Sequence, residues 1–232
     1  MERPYIICHM VASIDGRVTG DFLSHKKCER ATEIYYDINR STKSNGFICG
    51  RITMETSFTN GWYPVLDAFE DTACRSDFVP SDLSGFYAVA FDTNGRLGWQ
   101  DSVIHDWDEG YDKAQIIEVL SESVDGRYLS YLKSKGIGYI FEVTEKIDVQ
   151  TALCKLKSLF GAEIHLLEGG SVINGAFQNA DLIDELSLVT APLTASADGK
   201  PLFWNGSIAD FDLISIESND GTSVVRYKRK SI

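Results

Sequence analysis

Short apolar runs alternate with amphipathic stretches along most of the chain, and this alternation predicts strand, helix, strand, repeated. Residues 5–12 (YIICHMVA) are almost continuously apolar, as expected of a strand covered on both faces. Residues 28–44 carry Ala31, Ile34, Tyr35 and Ile38 at spacings of three, one and three, which predicts a helix ending near Gly46. Apolar runs at 47–49, 87–91, 139–143 and 164–167 predict further strands. Between them, residues 126–135 read as a helix with Tyr128, Leu129 and Leu132 inward, and 149–160 as one with Leu153, Leu156 and Leu159 inward. A helix opening at Ser171 places Val172, Ile173, Ala176 and Phe177 on one side. After the apolar stretch 183–192, segments 211–217 and 222–230 alternate apolar with polar residues across Ser218-Asn219-Asp220-Gly221, a hairpin signal.

Two stretches show no useful period. Residues 61–83, with Pro64 and Pro80, read as a surface excursion, and 100–124 contain an acidic patch at 106–112 that reads as a solvated loop. No repeat, low-complexity tract or interdomain linker is apparent. The expected fold is therefore a single α/β domain over residues 1–232. It has a mostly parallel central sheet with helices on both faces and an antiparallel C-terminal hairpin.

Composition narrows the function classes. The chain has 232 residues, 44% of them hydrophobic, enough for a substantial core. A formal net charge of −12 disfavours nucleic acid or an anionic membrane as a partner, because a polyanion is repelled. The cations clustered at Arg226, Lys228, Arg229 and Lys230 read as a solvated edge strand. The five cysteines are scattered without a CxxC pair, and the four histidines lack ligand spacing. A structural metal site is thus not expected, and a reducing, cytoplasmic setting is. Neither a signal peptide nor a membrane-spanning run is expected.

Candidate chemistry lies where strands run out. The run Ile164-His165-Leu166-Leu167 stops at Glu168-Gly169-Gly170, and a helix begins at Ser171. Paired glycines let a ligand approach the backbone, and a helix N-terminus offers N–H groups and partial positive charge to a phosphate. Gly50-Arg51-Ile52-Thr53 forms a second strand–glycine–helix junction, with a guanidinium and a hydroxyl in the first turn. The first strand ends in Ser13-Ile14-Asp15-Gly16-Arg17, and the run 87–91 ends in Asp92-Thr93-Asn94-Gly95-Arg96. Each of the four also fits a tight turn that binds nothing.

Three segments resemble the riboflavin-pathway pyrimidine reductase family, which has the dihydrofolate reductase fold. They are MVASIDGRV at 10–18, FICGRITME at 47–55 and HLLEGGSVINGAFQNADLIDELSLVTAP at 165–192. The resemblance implies NADPH as hydride donor. By position it implies phosphate contacts from Gly50, Arg51 and Thr53 and from Gly169, Gly170, Ser171, Val172, Ile173 and Asn174, with Asp92 and Thr93 near the adenosine. It places Ala12 at the nicotinamide, and Ser13, Asp15 and Glu168 toward a small-molecule substrate; Arg40 stands in for a substrate-phosphate arginine. Asp15 and Glu168 are the implied catalytic residues, orienting the substrate or relaying a proton, and a homodimer is implied.

The chain departs from the family pattern in three respects. Segment 193–199 replaces a glycine-rich stretch, the usual Gly-Glu-Ser after the first turn is missing, and no HxE or PCxxC of a fused zinc deaminase is present. The substrate is thus open between a ribosylamino-pyrimidine, dihydrofolate and another small carbonyl compound. A non-catalytic NADPH-binding module is the alternative of a different class.

Overall fold

In a computed structural model, residues 2–71, 75–142 and 148–230 are described. Among them run nine strands and five α-helices, mostly parallel strands followed by an antiparallel C-terminal pair, as the sequence predicts. The chain divides into two compact units. One comprises residues 44–165 with the N-terminal residues up to Pro4; the other comprises 5–43 and 166–232.

In the first unit, strands β2 (Gly46–Gly50), β3 (Tyr87–Phe91), β4 (Gln115–Ser121) and β5 (Gly138–Glu142) lie parallel in the order β5-β4-β3-β2. Parallel strands need long crossover connections, which are usually helical. Here α2 (Arg51–Met54), continued by one π turn, follows β2, and α3 (Gly126–Ser134) and α4 (Val149–Phe160) follow β4 and β5. The described residues of 61–83 are irregular apart from a 3₁₀ turn at Leu66–Ala68 and an isolated bridge from Phe78 to Tyr139. Val143, expected to end the strand at 139, lies outside the described residues.

Strand β4 falls in the stretch without a sequence period. It is buried from Gln115 to Leu120, but Glu118 interrupts the apolar run Ile116, Ile117, Val119, Leu120. The acidic patch is also less solvated than its composition predicts. Asp108 is buried, and its Oδ1 accepts from the N–H of Gly110 at 2.8 Å. On α4, Leu153 and Leu156 are buried as expected, whereas Leu159 is exposed and Phe160 takes its place inward. Two successive steps of three residues fall behind a 3.6-residue turn, so the third leucine rotates out.

In the second unit, β1 (Tyr5–Ser13) runs parallel to β7 (Glu185–Ala191), and β9 (Thr222–Arg229) pairs antiparallel with β7 and with β8 (Phe211–Asn219). Helix α1 (Glu29–Ser41) buries Ala31 and Ile34 against Val189 and Ala191, with Tyr35 and Ile38 at the margin. Asp220 and Gly221, at φ 48° and 81°, make a two-residue hairpin turn of the kind whose twist suits antiparallel strands. Because β9 has a partner strand on both sides, it is not the solvated edge that its cations predict. Arg226 pairs with Glu185 at 2.6 Å, Arg229 with Asp181, and Lys230 with Asp210 and Asp212. Strand β6 (Ile164–Leu167) carries the chain from the first unit into the second and leads to α5 (Ser171–Asn179). No helix among the described residues is long and apolar enough to cross a membrane.

Candidate functional site

Glu168 follows the last residue of β6 and is 6% exposed. Its Oε1 accepts from Asn39 Nδ2, on α1, at 2.7 Å. Burial, and after it the charge of Glu168, push the Cys8 thiol up, which places that thiol in the carboxylate's field. Gly169 has φ +97°, and a Cβ there would stand 3.1 Å from Met10 Cε and 3.2 Å from its Sδ. A side chain there is strained by the backbone conformation and would have to displace the end of the Met10 side chain. The Gly169–Gly170 peptide is cis, and Gly170 begins α5 with no side-chain cap. The first-turn N–H groups of α5 have no acceptor within the helix and sit at its positive end.

The side chains of α5 have another task. Ser171 Oγ donates to the carbonyl of Pro201, Asn174 Nδ2 to that of Leu202 (3.3 Å), Gln178 Nε2 to that of Ser207 (3.2 Å) and Asn179 Nδ2 to that of Asn205 (2.9 Å). Asn179 Oδ1 accepts from the N–H of Ser207 at 2.7 Å. These residues fall at i, i+3, i+7 and i+8, one stripe of a helix, and Ser171, Asn174 and Gln178 are buried. Val172, expected inward, is 55% exposed, while Ile173 and Phe177 are buried. With the hydroxyl and amides committed to 201–207, the helix offers an anion its main chain.

The turn after β1 is fastened to the segment after β7. Ser13 Oγ accepts from the N–H of Arg17 at 2.9 Å, and the N–H of Ile14 donates to the carbonyl of Leu193. Asp15 is exposed, and its Oδ1 accepts from the N–H of Ala195 at 3.0 Å. The Ser13 hydroxyl and then this N–H hold its carboxyl below the usual carboxylate range, so Asp15 is ionised near neutrality. Ala12 and Ser13 are buried. Arg40, on the helix that carries Asn39, pairs with Asp37.

In the first unit, Gly50 begins α2, and Arg51 in its first turn pairs with Glu55; Thr53 is half-buried. Asp92 closes β3 and is buried. Its Oδ2 accepts from the N–H groups of Arg96 and Leu97, so the carboxylate shapes its own turn. Burial pushes Asp92 up, against those N–H groups and the charges of Arg51 and Arg96. Thr93, half-buried beside it, accepts from the N–H of Ser121 at 3.0 Å. Glu118 is fully buried, its Oε1 accepting from the Trp99 indole and, at 3.3 Å, the Tyr128 hydroxyl. Burial, then the charge of Asp92, raise it well above the usual range.

Residues 4–225 match the model of the RibD C-terminal domain. The chain belongs to that family. It is 26% identical over 214 residues to a Kluyveromyces lactis protein named 2,5-diamino-6-ribosylamino-4(3H)-pyrimidinone 5′-phosphate reductase, across 85% of this chain and 76% of that one. Among solved structures, a pyrimidine reductase-like protein of Corynebacterium diphtheriae shares the fold with a TM-score of 0.68 at 16% identity, over 99% of this chain and 93% of that one. RibD of Acinetobacter baumannii does so at 0.65 and 19% identity; 98% of this chain covers 58% of that longer one.

In this RibD C-terminal domain the second unit brings together Glu168, Gly169, Gly170 and the start of α5, with Asn39 against them. Asp15 lies in the solvent-facing turn after β1, and Arg40 pairs with Asp37. Gly50, Arg51, Thr53, Asp92 and Thr93 belong to the first unit. Asn39 escaped the sequence reading although its signal was present. It continues the stripe Ala31, Ile34, Tyr35, Ile38 as the one polar member, and a polar residue on a buried stripe requires a partner.

Proposed function

We propose that the chain is an NADPH-dependent reductase of riboflavin biosynthesis, acting on the opened ribosylamino sugar of a pyrimidine 5′-phosphate to give the ribitylamino chain. The observation that carries this is the junction at Glu168 in a RibD C-terminal domain: a buried, amide-held carboxyl directly before a side-chain-free turn and an uncapped helix N-terminus. The name of the Kluyveromyces lactis relative supports the choice of substrate.

The junction fits a dinucleotide. Gly169 and Gly170 leave room for a diphosphate beside the N–H groups of Ser171, Val172 and Ile173, and Gly50, Arg51 and Thr53 are the second set of residues assigned to phosphates, with Asp92 and Thr93 toward the adenosine. When bound, the nicotinamide supplies hydride from C4. The protein orients the substrate carbon against it and excludes water. Asp15, ionised, accepts hydrogen bonds from the substrate, and Ala12 and Ser13 form the adjoining wall. Glu168 faces the reacting atoms and governs the balancing proton. A cytoplasmic homodimer is part of the same proposal, supported by the buried thiols of Cys8, Cys28, Cys49 and Cys154 and by exposed Leu213 and Ile216 on β8.

Titration with NADPH and NADH, followed by assays of NADPH oxidation with the ribosylamino-pyrimidine phosphate, dihydrofolate and small carbonyls, tests the proposal. Saturable NADPH binding and turnover of the first substrate are expected; absence of NADPH binding sinks it. Glu168→Gln and Asp15→Asn are expected to lower kcat by about tenfold or more with NADPH affinity nearly intact. Unchanged turnover in both removes them from the mechanism.

A further inference from the structure

We propose that a cavity in the first unit is a second small-molecule site, one that takes a single aromatic ring carrying a cationic amine. The cavity measures about 190 Å³. Engineered apolar cavities of about 150 Å³ take up benzene, so one ring fits. Its deep part is lined by Trp99, Ile104 and Thr59, all buried, with Phe58 half-buried beside them. At its mouth stand the exposed side chains of Asp101 and His105. An apolar, partly aromatic interior with a few polar groups at the rim is the lining of a small-ligand site.

The aromatic wall is built in advance. The Tyr131 hydroxyl accepts from the N–H of Trp99 at 2.6 Å and donates to the carbonyl of the same residue. The Tyr128 hydroxyl donates to the carbonyl of Leu97 at 2.7 Å, and the Trp99 indole N–H donates to Glu118. A carboxyl fully buried in mid-strand is costly, and the hydrogen bonds that Glu118 makes go to this indole and to Tyr128. With its N–H committed, the indole offers a ligand its ring, for stacking or cation–π contact.

The charge at the mouth selects the ligand. Asp101 Oδ2 lies 2.9 Å from His105 Nε2, and its Oδ1 accepts from the N–H of Ser102 at 2.7 Å. The histidine first and this N–H next hold the carboxyl below its usual range, so Asp101 is ionised near neutrality. Segment 101–113 carries five carboxyls against one lysine, and that lysine, Lys113, lies 3.8 Å from Asp112. Lys135 donates to the carbonyl of Gln100 at 3.1 Å, a second cation against the same excess of carboxyls. An ammonium is drawn to this field, a carboxylate is repelled, and a neutral ring gains from the interior alone.

Benzylamine is the probe, followed in ¹H–¹⁵N spectra through the indole N–H resonance that Trp99→Phe removes. Where Trp99→Phe loses the fold, the indole resonance that moves in Glu118→Gln identifies the same group. A saturable shift with a Kd of about 1 mM is expected, as suits a ligand of about eight heavy atoms. Benzyl alcohol is expected to bind about threefold more weakly, and benzoate not to saturate. Asp101→Asn is expected to weaken benzylamine about threefold and to leave benzyl alcohol unchanged. No saturable shift with benzylamine up to about 20 mM overturns the proposal, as does equal binding of benzoate or an unchanged affinity in Asp101→Asn. Competition by NADPH overturns it too, because the cavity would then belong to the cofactor site. None of these measurements needs turnover, so their outcome is separate from that of the reductase reading.

Discussion

His165 is fully buried on β6, and neither ring nitrogen has a hydrogen-bond partner among the described residues. Burial brings it down to about 3. His9 is buried too, stacked on Tyr35 and bonded to Ser187 and to the carbonyl of Tyr35, and burial brings it down to about 4. Both fold neutral. Between an unfolded value near 6.5 and these folded values the unfolded chain binds protons that the folded one does not, so stability falls as pH falls. The slope is about 1.4 kcal/mol per pH unit for each histidine. Urea unfolding at pH 7.5 and 5 should show the loss, and His165→Phe should remove its share; an unchanged slope would place a partner beside that ring.

Glu118 works in the opposite direction. Its folded value is raised, so its cost appears as pH rises through the ordinary glutamate range. Glu118→Gln is expected to unfold at higher urea than wild type at pH 7.5 and to lose that lead near pH 3.5. A wild type that stays ahead at pH 7.5 would mean that the carboxyl is ionised in the fold. The same residue explains why β4 was illegible: a buried carboxyl in mid-strand mimics a solvated loop in sequence, and only its partners Trp99 and Tyr128, 19 and 10 positions away, reveal otherwise.

At the scale of the element, α5 shows where sequence periodicity misleads. Ile173 and Phe177 were legible as inward and Val172 was not, and the packing of the polar stripe at 171, 174, 178 and 179 was hidden because its partners are main-chain groups, which no side-chain pattern announces. Gly175 lies under the same segment, where a Cβ would come within 2.1 Å of the Trp204 carbonyl oxygen. Gly175→Ala therefore sets two effects against each other. Alanine in a helix gains about 1 kcal/mol, and overpacking against backbone costs about 1–3 kcal/mol. The clash is with main chain and should win, lowering Tm by a few degrees; a variant as stable as wild type would show that segment 201–207 yields.

For the molecule as a whole, the mostly parallel sheet, the antiparallel ending and the glycine junctions were legible because they rest on local apolar runs and turn residues. The bulge in β8 was not. Register shifts between Leu213 and Ser215, so Leu213, opposite Tyr227, and Ile216, opposite Val225, come to one face of the hairpin. Both are more than half exposed, and β8 pairs on one side only. If this face joins two copies, Leu213→Glu with Ile216→Glu should give monomers in sedimentation at micromolar concentration while leaving the melting curve of each chain cooperative. A wild type that is monomeric at the same concentration rejects the homodimer.

The grip of α5 on residues 201–207 is a grip on peptide groups, and peptide groups are the same whatever side chain they bear. The helix therefore dictates the route of that segment without dictating its spelling. Trp204, Asn205, Gly206 and Ser207 are all exposed. Divergence can rewrite Trp204, Asn205 and Ser207 while the course over the helix is preserved, whereas Gly206, where a Cβ would stand 2.7 Å from Phe203 Cβ, is held to glycine; the fold thus has a surface that can change much of its chemistry without renegotiating its architecture.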